Sequence, residues 1–337
     1  MRQHRWFRYS VVSAVALLVY APIWPGSSSV QTASASTAPE YHHSWYIVDP
    51  SSSAMENLAA SDAQWSNAHC GSGGFDGLVI LDFGQPGYYG SYGTYYFAYN
   101  APFISDAAII KAVEQYIIWW WNDTTPCPYL HVAIGTNNYH ECPFGSPCNI
   151  YTAGEQWANI TNTVSAWVKS QGYSVQVAVW SADDIETGWD PFSCSGCKNT
   201  ADFVNGYNAN NSCGCNLGDF GDAWANPNWT ESDVYYVAWG EGYDIPFPEI
   251  YSQYAANRWA QVKKDTKNGI QGIMIMYGVT TECSGSDPLP SANCYVSGNN
   301  DYEFAPNQAW NALMSAMSND GVGQSTIPYA TNIQYQP

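Results

Sequence analysis

Basic residues are scarce in this chain of 337 residues, which has 10 lysines and arginines against 29 aspartates and glutamates. The formal net charge is −19 at pH 7. A chain of this charge repels the phosphate backbones of nucleic acids and anionic membrane surfaces. We therefore expect no nucleic-acid partner, whereas neutral ligands such as sugars remain compatible.

Several motifs of hydrolases and dehydrogenases are missing. There is no G-x-S-x-G elbow and no H-E-x-x-H sequence. The six histidines are scattered, and two of them, His42 and His43, fall in a predicted linker. The glycine-rich CGSGGFDG (70–77) precedes a strand, whereas a dinucleotide fingerprint must follow one. We expect neither a metal nor a cofactor.

A long apolar run occurs at the N-terminus, where residues 1–35 combine early arginines, the segment VVSAVALLVYAPIW and a small-residue site at 33–35. This arrangement is typical of a secretory signal peptide. An uncleaved anchor is the alternative, but the run is shorter than the roughly 20 residues that cross a bilayer. We predict a secreted, monomeric protein without stable membrane insertion after cleavage, with a linker at 36–44 and one domain at 45–337.

The ten cysteines are even in number and lie outside the predicted signal. An oxidising compartment would pair them in up to five disulfides. The pairs Cys142 with Cys148 and Cys283 with Cys294 are the simplest to form. The sequences CSGC (194–197) and CGC (213–215) leave a zinc site open as an alternative.

Apolar runs and helical periodicities alternate along the chain. Strands are predicted at 45–49, 77–84, 130–136, 175–184, 215–220, 233–240 and 270–278. Helices are predicted at 104–121, 152–172, 200–209, 248–267 and 306–318. This alternation predicts an α/β fold, a single TIM-like (β/α) barrel, regular or distorted, with long disulfide-bearing loops on its C-terminal face. A doubly wound open sheet is the competing fold.

The strand that begins at Val175 ends in three carboxylates, within the sequence VQVAVWSADDIETGW. Alternation places Val177 and Val179 beneath the helices, and Asp184 with Glu186 toward the barrel interior. Two adjacent carboxylates in a desolvated site can differ in pKa, so that one donates a proton while the other stays ionised. We predict Glu186 as the general acid, and Asp184 as the nucleophile, the base or the stabiliser of a substrate-derived nucleophile.

Other acidic and aromatic residues end strands nearby. Asp82 is predicted to tune the catalytic pair. The predicted substrate-binding residues are Trp180, Trp189, Trp239, Glu241, Tyr243, Tyr277 and Glu282. Aromatic faces beside carboxylates are typical of a sugar-cleaving cleft. The structural alternative is that the carboxylates cap turns and the aromatic rings belong to the core.

Several segments together resemble a group of secreted, glycoside-hydrolase-like proteins of actinobacteria and similar soil bacteria. They are LVILDFG, HVAIGTNN, VAVWSADDIETGW, DFGDAW, WTESDVYYVAWG, FPEIY and NQAWNAL. The resemblance covers about residues 45–320. It implies a secreted barrel whose strand end, Asp184-Ile185-Glu186, is similar to the acidic pair of D-x-E lysozymes and related glycosidases.

These observations favour a secreted glycoside hydrolase acting on a polysaccharide or cell-wall glycan. The alternative is a non-catalytic carbohydrate-binding or cell-envelope protein on the same barrel. The high aromatic content, with 16 tryptophans and 26 tyrosines, suits both functions equally well.

Overall fold

The structure is a computed structural model that describes residues 38–71, 74–95, 102–139, 142, 148–193, 199–240, 242–264, 269–275, 304 and 306–337. These residues belong to one compact unit, 36–337. None of the helices described is both long enough and apolar enough to cross a bilayer.

The described strands number eleven. They are β1 (Tyr41–Tyr46), β2 (Phe75–Asp82), β3 (Gln85–Tyr88), β4 (Tyr92–Tyr95), β5 (Ile104–Ser105), β6 (Pro128–Asn137), β7 (Val177–Asp184), β8 (Leu217–Asp219), β9 (Asp244–Pro246), β10 (Gly272–Ile275) and β11 (Tyr329–Tyr335). Seven α-helices connect them. They are α1 (Ser52–Ala68), α2 (Asp106–Asp123), α3 (Ile150–Gln171), α4 (Thr200–Asn210), α5 (Glu231–Tyr235), α6 (Gln253–Lys263) and α7 (Pro306–Asn319).

Eight strands form one parallel sheet in the order β10-β11-β1-β2-β6-β7-β8-β9. Strands β11 and β1 pair over six residues, so the last strand of the series lies beside the first. Between β9 and β10, the Gln271 amide donates a hydrogen bond to the Pro246 carbonyl at 3.2 Å. The sheet is therefore a nearly closed barrel with its strands in chain order, which excludes the doubly wound alternative.

Polar side chains fix where the helices begin. An Asn, Ser or Thr side chain accepts a hydrogen bond from a first-turn amide at Ser51, Ser105, Asn149, Asn199, Thr230 and Ser252. Such caps satisfy amides that have no partner within the helix. At the other end of α3, Gly172 has φ of 78° and closes the helix in the left-handed conformation that glycine favours.

Apolar side chains form two layers, one inside the barrel and one between the sheet and the helices. The interior layer contains Tyr46, Leu78, Ile80, Ala133, Ala182, Phe220, Phe247 and Ile333. Val177 and Val179 belong to the outer layer, whereas Ala182 faces inward. The predicted alternation along β7 is thus confirmed, and the interior layer forms an apolar floor beneath the barrel mouth.

Two glycines allow α3 and α4 to cross closely. A Cβ on Gly154 would lie 2.1 Å from the Phe203 carbonyl oxygen, and one on Gly206 would lie 2.0 Å from the Tyr151 carbonyl oxygen. Since real Cβ atoms do not approach backbone so closely, only glycine fits at either position. The crossing holds α4 behind the loop that follows β7.

Two segments differ from the sequence prediction. Residues 41–44, assigned to a linker, lie in β1, where His42 is fully buried and contacts Ser66. Residues 233–240, predicted as a strand, form the end of α5 and a π-helix. A capping box at Thr230 starts that helix, and the buried spacing Val234, Val237 and Ala238 is helical rather than alternating.

Disulfides join Cys70 to Cys127, Cys142 to Cys148, and Cys213 to Cys215. The Cys142–Cys148 prediction is confirmed. The disulfide at 213–215 argues against the zinc alternative, because zinc requires free thiolates. Cysteines 194, 197, 283 and 294 lie outside the described residues.

We expect the substitutions Cys70→Ser and Cys127→Ser, made together, to destabilise the fold by about 4 kcal/mol, since this bond closes a long loop. The sequence separation is 57 residues for that pair and 2 for Cys213 with Cys215. The matched control, Cys213→Ser with Cys215→Ser, should cost less than about 2 kcal/mol. Urea unfolding checks both values, and equal losses would contradict the prediction.

Candidate functional site: an acidic barrel mouth

The carboxyl ends of the barrel strands bring polar side chains together above the apolar floor. Tyr46 is in register with Asp82 on one side and with Tyr335 on the other. Asn137 is in register with Asp184 on the neighbouring pair of strands. Because parallel strands end at the same edge, these inward-facing residues form the barrel mouth.

Three carboxylates converge in this mouth. Asp184, Glu186 and Glu249 each contribute one oxygen, and these oxygens lie within 4.8 Å of one another. Asp184 and Glu249 are buried, whereas Glu186 is partly exposed. The group therefore has one member open to a ligand and two behind it, and we call it the carboxylate cluster.

Asn138 holds the Glu186 backbone from both sides. Its Oδ1 accepts a hydrogen bond from the Glu186 amide at 2.9 Å, and its Nδ2 donates to the Glu186 carbonyl at 3.1 Å. The Asn138 amide also donates to the Asp184 carbonyl at 3.1 Å. Because one side chain satisfies both backbone groups, the position of Glu186 depends on Asn138.

A second support comes from the loop after β8. Asp222 Oδ1 accepts hydrogen bonds from the amide and the hydroxyl of Thr187 at 2.9 and 3.0 Å. A Cβ on Gly221 would lie 2.1 Å from the Ile185 carbonyl oxygen, so glycine is required for this loop to lie against the D-x-E segment. Asp222 is therefore a positioning residue for the acidic strand end.

Burial and mutual repulsion hold protons on the cluster. Burial and then the charge of Asp222 raise the pKa of Glu186 to about 8. Burial, followed by the charges of Glu249 and Glu186, raises the pKa of Asp184 well above its usual range. Like charges this close in a desolvated site cannot all be ionised, so Glu186 is protonated at neutral pH.

Glu249 has a hydrogen-bond donor of its own. The Tyr251 hydroxyl donates to Glu249 Oε1. Burial and the charge of Glu186 raise the pKa of Glu249, and the Tyr251 hydrogen bond opposes that rise. A hydrogen bond to the ionised form favours that form, so Tyr251 opposes the rise in the pKa of Glu249 without cancelling it.

Asp82 lies beside this group, as predicted. Its Oδ1 accepts a hydrogen bond from the Gly84 amide at 2.7 Å, and burial raises its pKa to about 7. The charge of Asp82 in turn contributes to the raised pKa of Asp184. The structure therefore brings all three predicted catalytic carboxylates to one mouth.

Lysine and arginine do not neutralise the cluster in the part of the chain that the structure describes. The ion pairs of these side chains there are Arg258 with Glu231 and Lys264 with Asp320. Asp184 Oδ1 and Asp82 Oδ2 are buried without a hydrogen-bond partner among the described residues. The oxygens of the cluster also have the spacing and hardness that Ca²⁺ or Mg²⁺ prefers, so a divalent cation is a chemical alternative to bound protons.

Aromatic rings flank the mouth on the two loops that carry the acids. Trp189, predicted to bind substrate, packs edge-on against Tyr139 with ring centroids 5.3 Å apart. Trp224, two residues beyond Asp222, packs edge-on against Tyr254 at 5.5 Å and is 41% exposed. The prediction for Trp189 agrees with its position in the loop of Glu186.

Three predicted binding residues lie elsewhere. Trp180 is inside the barrel four residues below Asp184, stacked on Phe247 and packed against His131. Trp239 is buried in the outer layer against Trp259.

Tyr243, the third of them, precedes β9 at the opposite end of the barrel, where Gly214 is its neighbour. Trp180 packs against the interior layer, Trp239 lies in the outer layer and Tyr243 lies on the far surface, so the structure does not bring these three residues to the mouth. Predicted residues 241, 277 and 282 lie outside the described residues.

Glu249, Asn138, Asp222 and Trp224 were missed by the sequence prediction. Asn138 and Asp222 each follow a strand end by one to three residues, a signal that the sequence did contain. Glu249 follows β9, a strand of three residues whose apolar run is too short to recognise. Comparison with protein-family models, curated proteins and solved structures finds no match for this chain.

We expect Asn138→Ala to destabilise the fold by about 2 kcal/mol, because it leaves the part-buried amide of Glu186 without a partner and removes one of the two hydrogen bonds to its carbonyl, which also accepts from the Trp189 amide. The control is Asn226→Ala, which removes a hydrogen bond to the Asn228 amide in an exposed turn. Urea unfolding measures both. A loss at Asn138 no greater than that at Asn226 would contradict its role in holding Glu186.

We expect the free energy of unfolding to decrease as pH rises from about 5 to about 8. In this range the folded protein, with the pKa of Glu186 raised to about 8, binds protons that the unfolded chain has released, so the folded state loses its advantage as pH rises. Urea unfolding across this range measures the slope. Glu186→Gln should reduce it, and an unchanged slope would contradict a protonated Glu186.

Proposed function

We propose that the protein is a secreted glycoside hydrolase with a TIM-like barrel, acting on a polysaccharide or cell-wall glycan. The observation that carries the proposal is the convergence of Asp184, Glu186 and Glu249 within 4.8 Å at the barrel mouth. Glycoside hydrolysis needs an acid that donates a proton and a nearby carboxylate that stabilises positive charge. The cluster supplies both, on the strand ends where active sites of such barrels lie.

Glu186 is the general acid in this proposal. It is the partly exposed member of the cluster, and its raised pKa keeps a proton available at neutral pH. It protonates the oxygen of the glycosidic bond, so that the leaving sugar departs as an alcohol. Asn138 and Asp222 hold the segment that carries it.

Asp184 is the nucleophile, and it acts in the state of the cluster in which the protons lie on Glu186 and Glu249 and Asp184 is ionised. In that state it attacks the anomeric carbon as the glycosidic bond breaks. A spacing of about 5 Å between acid and nucleophile is that of retaining enzymes, whereas inverting enzymes need about 6.5–9.5 Å to admit a water molecule. Glu249 and Asp82 set how protons are distributed around Asp184. After the leaving sugar departs, Glu186 accepts a proton from the water that releases the second product.

The charge and the disulfides support the substrate class and the compartment. A chain with a formal charge of −19 suits a neutral glycan better than a polyanion. The bonds Cys70–Cys127 and Cys142–Cys148 are of the kind that persist outside the cytosol. Together with the predicted signal peptide, they favour secretion.

A carbohydrate-binding protein without catalysis is the second candidate. The observation that favours it is the pair of aromatic contacts, Tyr139 with Trp189 and Trp224 with Tyr254, which would serve binding alone. The two candidates differ in whether Glu186 is needed for product release.

We expect Glu186→Gln to lower turnover by about 10²–10⁴-fold while preserving binding, because the amide cannot donate the catalytic proton. Mass spectrometry of products released from peptidoglycan and from plant, fungal and bacterial polysaccharides provides the measurement. The wild-type rate should fall as pH rises through about 8, the pKa of the acid. EDTA should leave the rate unchanged.

The matched control is Asp123→Asn, an exposed carboxylate at the end of α2, which should keep full activity. Binding of a glycan by folded wild type without product release would establish the second candidate. Loss of activity in EDTA, restored by Ca²⁺ or Mg²⁺, would instead assign the cluster to a cation.

A further inference from the structure

A small antiparallel sheet stands beside the barrel mouth. Strands β3, β4 and β5 are inserted between β2 and α2 and pair in the order β3-β4-β5. The insertion begins at Gln85, three residues after Asp82. The Thr136 hydroxyl donates to the Gly84 carbonyl at 2.8 Å, and the Cys142 amide donates to the Pro86 carbonyl at 2.9 Å. The sheet is therefore fixed to the same rim as the carboxylate cluster.

Two glycines make room for aromatic rings on one face of this sheet. A Cβ on Gly87 would lie 2.4 Å from the Tyr95 ring, and one on Gly93 would lie 2.6 Å from the Phe103 ring. Both glycines share that face with Tyr95, since Gly87 pairs with Gly93 and Gln85 pairs with Tyr95. The rings consequently lie against the backbone.

The rings border an open cavity of about 490 Å³, whose lining among the described residues is Tyr88, Tyr89, Tyr95 and Phe103. Phe103 is central, with its ring centroid 5.2 Å from Tyr95 and 6.0 Å from Tyr89. Tyr89 is 76% exposed, although Tyr95 beneath is buried. A volume of this size falls within the range of small-ligand sites, and no charged side chain is among these four.

We propose that this aromatic cavity is a binding platform for the pyranose rings of a neutral polysaccharide whose scissile bond lies at the carboxylate cluster. Pyranose rings have apolar C–H faces bordered by hydroxyls, which match aromatic faces bordered by tyrosine hydroxyls. The described lining offers no charged side chain to pair with an ionic group, which favours a neutral ligand. The proposal rests on the proposed function for the class of ligand, and it adds that the substrate is a chain rather than a short sugar.

Binding is tested in the Glu186→Gln background, so that the polymer is not cut. The probes are cellulose, chitin, xylan and peptidoglycan sacculi, and binding isotherms are compared among Tyr89→Ala, Tyr89→Phe and the parent. Tyr89→Ala should weaken binding to whichever polymer the parent binds by about 3- to 10-fold, which is the contribution to affinity expected of one stacked aromatic ring. Tyr89→Phe should retain most of the affinity, because it keeps the ring.

Tyr243→Ala is the matched control, since this tyrosine is 39% exposed at the opposite end of the barrel. It should bind as the parent does. Equal binding by Tyr89→Ala and Tyr243→Ala, or no binding of the parent to any probe, would overturn the platform. Tyr89-dependent binding without product release by wild type would support the platform and refute the hydrolase, so the two proposals fail separately.

Discussion

The burial of several carboxyl groups, with no lysine or arginine paired to them among the described residues, is the constraint on which this structure depends. Asp82, Asp184 and Glu249 are each at most 3% exposed, and the ion pairs described for lysine and arginine lie elsewhere. An isolated buried charge is too costly to persist, so the groups respond by keeping protons. The scarcity of basic residues in the sequence is thereby reflected in the retention of protons at the site.

The barrel strands determine where these buried carboxyl groups lie and which way they face. Inward and outward residues alternate along each strand, so Ala182 belongs to the apolar floor and Asp184 stands above it. Asn138 then fixes the backbone of the next acidic residue through two hydrogen bonds. A proton donor is useful only when its position is defined, and rigid strand ends provide that definition.

The sequence prediction agrees with the structure where a single hydrophobic periodicity determines an element. The long apolar run of β7 has a clear period of two, so the inward placement of Asp184 followed directly. Helices α2, α3, α4 and α7 were also predicted close to their observed bounds, because apolar spacing and caps agreed. The convergence of Asp82 with the D-x-E segment followed from the rule that parallel strands end at one edge.

The sequence prediction differs from the structure where an element is very short or where tertiary packing determines its conformation. Strand β9 has three residues, so Glu249 carried no recognisable strand before it. The segment 233–240 is rich in β-formers, yet the capping box at Thr230 and burial on one side made it helical. Trp180 and Trp239 were assigned to the cleft from their nearness in sequence to acids, and sequence does not distinguish a ring in the core from one at the rim.

The most direct measurement is infrared difference spectroscopy between the wild type and Glu186→Gln, with ¹³C-labelled glutamate, from about pH 5 to pH 9. We expect a protonated carboxyl band at pH 7 that is absent from the variant and is lost in the wild type as pH passes about 8. A Glu186 signal that is already that of a carboxylate at pH 7 would contradict a protonated Glu186 at the barrel mouth.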